Sequence, residues 1–155
     1  MTKLPTAVQR VLDGMTTGNW EGIERHLTPD VFHDASVPGW RMQFQGVDRV
    51  AQEMRSWTVG STFSIEEQTA TVAGDTVVVE LQATQDSPHG WHVDRLANIF
   101  VLRDGRIAEH RYYCCGEWDE ATVRKIEAEA PKVERDRVPA NPRDGLQDVA
   151  LRPAP

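Results

Sequence analysis

The sequence predicts an α+β domain, with helices gathered against one antiparallel sheet. Three observations carry that expectation. Gly74-Asp75 and Asp104-Gly105 each separate two long β-type runs, which is a strong hairpin signal. The apolar residues that precede those runs follow helical spacing in three places. The chain has 155 residues, 39% hydrophobic and 26% charged. That is enough for one core without staples.

The elements follow in chain order. Thr6 and Gln9 have capping-box spacing, and Val8, Val11, Leu12 and Met15 then mark one helix face. Gly18 closes that helix. Asn19 can cap a short second helix with Trp20, Ile23 and Leu27 on one side, and Thr28-Pro29-Asp30 breaks it. Residues 31–37 read as a short strand, followed by a loop containing Pro38, Gly39 and Trp40. A third helix runs from about Val47 to Trp57, with Val47, Val50, Ala51 and Met54 aligned. Two hairpins come next, over 62–73 with 76–85 and over 92–103 with 106–115. A last helix starts at a capping Asp119 and ends before Pro131. Residues 131–155 hold five of the nine prolines and few large apolar side chains. The packed domain is therefore expected over 1–130, with a proline-rich tail over 131–155.

Composition excludes several classes. Seventeen Lys and Arg against 24 Asp and Glu leave a net charge of −7, which disfavours nucleic acid and anionic membranes. Cys114 and Cys115 are neighbours on a strand and point to opposite faces, so they make a poor disulfide. Reduced cysteines and an N-terminus without an apolar signal core lead to an expected cytoplasmic location. No apolar run approaches a membrane span. His33, His89 and His92 lack a third ligand at metal spacing, so neither a metal nor another cofactor is expected.

Four stretches resemble the nuclear-transport-factor-2-like family, in its SnoaL-like and ketosteroid-isomerase-like branch. They are Gly18-Asn19-Trp20, Leu27 to Asp34 (LTPDVFHD), Phe44 to Val50 (FQGVDRV) and Arg103 to Tyr113 (RDGRIAEHRYY). Together they span about residues 6–120 in the family's order. The resemblance implies a cone-shaped fold in which the helices and a curved sheet enclose a pocket. The fold alone names no activity.

Site residues follow from the resemblance and from strand alternation. Asp34 matches the general-base aspartate of the isomerases. Asn98 falls where those enzymes carry an oxyanion-hole acid, which places the even-numbered residues of its strand inside. His110, Tyr112 and Cys114 then face the pocket. An Asp34–His110 dyad would provide a base. Asn98 would donate to a developing oxyanion, with Tyr112 as a second donor. His92 joins the wall, Trp40 and Trp57 flank the mouth, and Trp118 lies in the family's lid-forming segment. Tyr112 stands where limonene epoxide hydrolases have an aspartate, and Val93-Asp94-Arg95 lacks their Arg-x-Asp spacing, so that hydrolysis is disfavoured. Val11 lies near the isomerases' catalytic tyrosine position, which disfavours a true steroid isomerase.

The expected function is a small cofactor-independent enzyme. It would isomerise, cyclise or dehydrate a hydrophobic, carbonyl-containing or polyketide-like molecule. The alternative is a non-catalytic ligand-binding module or dimeric scaffold. Val93, Ala97, Ile99 and Val101 form an apolar outer sheet face, which leads to an expected homodimer.

Overall fold

The computed structural model describes residues 3–88 and 90–130. Its elements run α1 (Thr6–Thr17), a 3₁₀ turn (Ile23–His26), β1 (Leu27–Val37), β2 (Trp40–Gln45) and α2 (Val47–Ser56). They continue as β3 (Phe63–Ala73), β4 (Thr76–Ser87), β5 (Gly90–Arg103), β6 (Arg106–Trp118) and α3 (Glu120–Glu129). One compact unit ends at Val123, and the second begins at Arg124. The tail expected over 131–155 lies outside the described residues, as does His89.

The six strands form one sheet in the order β2-β1-β6-β5-β4-β3. Every pairing is antiparallel except β1 with β6. That pairing brings the first strand, distant in sequence, alongside the last. The helices of the first unit pack on one face. Val8, Val11, Leu12 and Met15 of α1 and Val50, Ala51 and Met54 of α2 are buried with Val79, Leu81, Leu96, Phe100 and Ile107 of the sheet. The expected α+β architecture is what the chain adopts.

Local chemistry explains the boundaries. Gly18 closes α1 in the left-handed region at φ 70°. Asp104 and Gly105 both have positive φ, 52° and 73°, as a tight primed hairpin turn requires. The Asp119 carboxylate accepts from the Thr122 N–H at 2.8 Å and starts α3.

Three local expectations are corrected. Thr6 makes no capping bond. Pro5 occupies the cap position, and the Gln9 amide donates to Asp13 Oδ1 at 2.8 Å instead. The second helix is only a 3₁₀ turn, and Pro29 lies inside β1 rather than ending a helix. The β1–β6 register shifts between Leu27 and Phe32, so the proline sits where the ladder is interrupted and its missing N–H costs nothing. The loop expected at Trp40 is strand β2, joined to β1 by a two-residue turn at Pro38-Gly39.

Candidate active site

The register of β1 decides which side chains reach the interior. Successive residues on a strand face opposite ways, so His33 and Asp34 cannot share a face. Val31, His33 and Ala35 are buried. Asp34 therefore lies on the outer face. Its carboxylate accepts two hydrogen bonds from Arg41, at 2.9 and 2.6 Å, and one from Gln43 at 3.1 Å. The Arg41 bonds, then Gln43, hold its carboxyl down at about 2. This corrects the expected dyad. Asp34 does not meet His110, and a carboxylate so strongly acidic is a poor base.

His110 meets His33 instead. Parallel pairing places them opposite each other, and their Nδ1 atoms are 3.1 Å apart. His110 Nε2 lies 3.0 Å from Asn98 Oδ1. All three residues are fully buried. Phe100 stacks on His110 with ring centres 4.4 Å apart, and Trp57 packs against both imidazoles. One proton must lie between the facing Nδ1 atoms, and burial disfavours charge on either ring. Burial pushes His33 down to about 4, and burial with the neighbouring His33 holds His110 well below the ordinary histidine value. Asn98 is committed to this cluster through its oxygen, and its Nδ2 has no partner among the described residues. Neither His110 nor Asn98 lines the cavity described next.

A cavity of about 190 Å³ opens at one end of the sheet's inner face. Ala35, Val37, Met42, Trp57 and Phe63 form its apolar walls. Its polar groups are Glu53, Gln85, Asp94, Tyr112, Cys114 and Glu117. Trp57 stacks on Tyr112 at 5.4 Å. Tyr112 and Cys114, expected in the wall, and Trp57, expected at the mouth, therefore do line it. Trp40 does not, being 70% exposed at the start of β2. Trp118 does not line it either; its indole occupies the space a side chain on Gly116 would need. His92 sits beside the polar end, with Nε2 3.4 Å from Asp94 Oδ2.

Asp94 is the group that sequence reasoning missed. It is only 4% exposed, yet it is an acid on an aromatic-walled cavity. Burial lifts its carboxyl to about 6, against the attraction of His92 and with the repulsion of Glu117. Antiparallel pairing sets Asp94 directly opposite Glu117. Ligand atoms of His92, Asp94 and Glu117 all lie within 4.8 Å of one another. The third partner absent from histidine spacing is thus supplied across the strands. A signal was present: Asp94 belongs to the even set that Asn98 placed inside, and an acid there stands out. Burial also holds the Tyr112 phenol well above its ordinary range and the Cys114 thiol up at about 11, so both are neutral donors.

Residues 8–110 match the family model of the SnoaL-like domain. No curated protein matches the chain. Solved structures do. An NTF2-like protein of unknown function from Mesorhizobium loti is 21% identical, over 71% of this chain and 88% of that one, with a TM-score of 0.59. An epoxide hydrolase of limonene-epoxide-hydrolase-like type from M. tuberculosis is 18% identical, over 83% and 96%, with a TM-score of 0.59. A candidate polyketide cyclase from Xanthomonas campestris is 21% identical, over 69% and 86%, with a TM-score of 0.57. At these identities the likeness is one of fold.

Proposed function

The chain belongs to the SnoaL-like domain family, and from that premise we propose that it is a small enzyme of proton transfer whose base is Asp94. The substrate is a compact, largely apolar molecule carrying a carbonyl group, and the reaction is an isomerisation, cyclisation or dehydration. One observation carries the reading: a carboxyl only 4% exposed, on an aromatic-walled cavity, raised to about 6. Such a carboxylate is a stronger base than a solvated one and returns its proton readily near neutral pH.

The remaining groups have definable parts. Trp57, Phe63 and Met42 hold the apolar body and exclude water. The neutral Tyr112 phenol donates toward the oxygen on which charge develops. His92 stands against one Asp94 oxygen and limits how the carboxylate turns. A positioned base of this kind contributes about 10²–10⁴ in rate.

Solvent exchange gives the test. Small ketones and enones are incubated with the protein in D₂O, and deuterium entering the carbon beside the carbonyl is followed by NMR. The exchange rate is expected to rise with pH through about 6. Asp94→Asn should lose about 10²–10⁴ of it, whereas Asp34→Asn, altered on the outer face, should keep it. Full exchange by the Asp94 variant would remove the assignment.

A further inference from the structure

Strand β6 changes face before its C-terminal end. Leu96 pairs with Cys114, and Asp94 pairs with Glu117. Between those pairs β5 advances two residues and β6 advances three, so β6 carries a β-bulge at Cys115-Gly116. An extra residue reverses the alternation beyond it. Before the bulge the even residues Tyr112 and Cys114 line the cavity, and after it the odd residue Glu117 does.

Trp118 is reversed with it, and pairs with Val93. Val93 adjoins the inward Asp94 and so faces outward, and directly opposed residues share a face. Trp118 therefore stands on the outer face, where Val93 is only 6% exposed. With unbroken alternation Gly116 would oppose Asp94, Glu117 would oppose Val93, and Trp118 would oppose His92. His92 in turn pairs with Gln85, a cavity residue. The indole would then stand across the cavity mouth.

Neighbouring groups hold the bulge in place. Gly116 is buried, and a Cβ there would lie 2.3 Å from Trp118 Nε1. Its backbone is not in the left-handed region, so glycine is needed at this position for room. The Cys114 thiol donates to the Gly116 carbonyl oxygen across 3.6 Å, which ties the bulged segment to the cavity wall. Bulges beside a site re-aim the side chains that follow them, and here two side chains of very different size exchange faces.

We propose that this bulge is the specificity determinant of the cavity: it sends Trp118 outward, brings the smaller Glu117 to the rim, and so keeps the mouth open to ligands longer than the cavity. The ligand class is a carbonyl compound with two unequal sides. One side is apolar and lies against Trp57, Phe63 and Met42. The other extends past the exposed Glu117 into water. This deepens the function proposed above and rests on the substrate sitting in that cavity. A tail that leaves the protein meets no wall, so its length neither adds to binding nor opposes it.

Titration calorimetry of the full chain tests this with acetophenone and with a phenyl ketone whose alkyl side is lengthened by an oligo(ethylene glycol) tail. The wild-type protein is expected to bind both within about threefold of each other. The exchange of Glu117→Trp with Trp118→Glu puts an indole at the inward position. It should weaken the tailed ketone about tenfold or more while acetophenone changes little. Deletion of Cys115, which restores alternation, should do the same. Trp118→Phe should alter neither affinity, because that ring faces outward. Circular dichroism checks that the variants are folded, and the two-residue exchange keeps the chain length should the deletion fail to fold. Rejection of the tail by the wild type, its acceptance by the folded exchange variant, a gain of affinity for it in Trp118→Phe, or binding of neither ketone would each overturn the proposal. Binding and proton exchange can fail separately. A tail profile unmoved by the variants, with exchange still dependent on Asp94, removes only the role of the bulge. A profile that moves as expected, with exchange independent of Asp94, removes only the base.

Discussion

His33 and His110 occupy the most enclosed polar position among the described residues. Both are held neutral by burial, so their pKa values in the folded state lie below the ordinary 6.5. Between 6.5 and the folded values the unfolded chain binds more protons, so stability falls as pH falls. Each histidine contributes a slope of about 1.4 kcal/mol per pH unit there. Asp94 acts in the opposite sense. It holds a proton in the folded state between its ordinary value and about 6, and so offsets one histidine in that range. The net expectation is a steep loss of stability from about pH 6.5 toward 4, followed by urea unfolding at a series of pH values. In His110→Phe, a ring of similar outline, the slope should fall even where packing costs some stability at pH 7. An unchanged slope would show that the pair is not what titrates.

At the scale of elements, helix α1 turns a familiar rule around. Glycine inside a helix usually costs about 1 kcal/mol against alanine. Gly14 is buried in α1, and a Cβ there would lie 2.4 Å from the Trp20 ring. Trp20 cannot move aside cheaply: its indole N–H donates to Thr58 Oγ1 at 2.8 Å, and its ring packs edge-on against Trp57. Gly14→Ala is therefore expected to destabilise by about 1–3 kcal/mol, measured as a lower thermal midpoint. Trp57 also lines the cavity, so ligand affinity should weaken with it.

The elements were legible to different degrees, for physical reasons. The hairpins at Gly74-Asp75 and Asp104-Gly105 could be read because turn chemistry is local. Helices α1 and α2 could be read because one face of each is continuously apolar. Strand β2 carries an alternating Trp40, Met42 and Phe44, but it lies at the sheet edge with four of its six residues exposed, and its pattern is weak. In the candidate site, Tyr112 and Cys114 were found through alternation within one strand, and Trp57, at the end of α2, through the family resemblance. Asp94 with Glu117 required the β5–β6 register, which no local pattern contains.

For the whole molecule, the outer sheet face bears on assembly. Ala97, Ile99 and Val101 are half-buried there, Tyr113 is 40% exposed, and Val93 is buried. The proposal is that a second copy of this chain covers that face, because apolar sheet surface gains most by leaving water. Light scattering at micromolar concentration is expected to give twice the mass of 17.5 kDa. Ile99→Glu, pointing a charge into the pairing surface, should shift it to the monomer. A wild-type monomer would count against the pairing. No helix among the described residues is long and apolar enough to cross a membrane.

The sequence by itself determined the α+β class, the hairpins, the principal helices and the family, because each rests on local spacing or on motifs in order. The tertiary structure alone decided between His33 and Asp34. The two are adjacent, and strand alternation sends one inward and the other outward without saying which. Packing of α2 and the parallel β1–β6 pairing drew His33 to His110 and left Asp34 to Arg41. Cross-strand register likewise brought Asp94 to Glu117, because register depends on contacts between segments far apart in the chain.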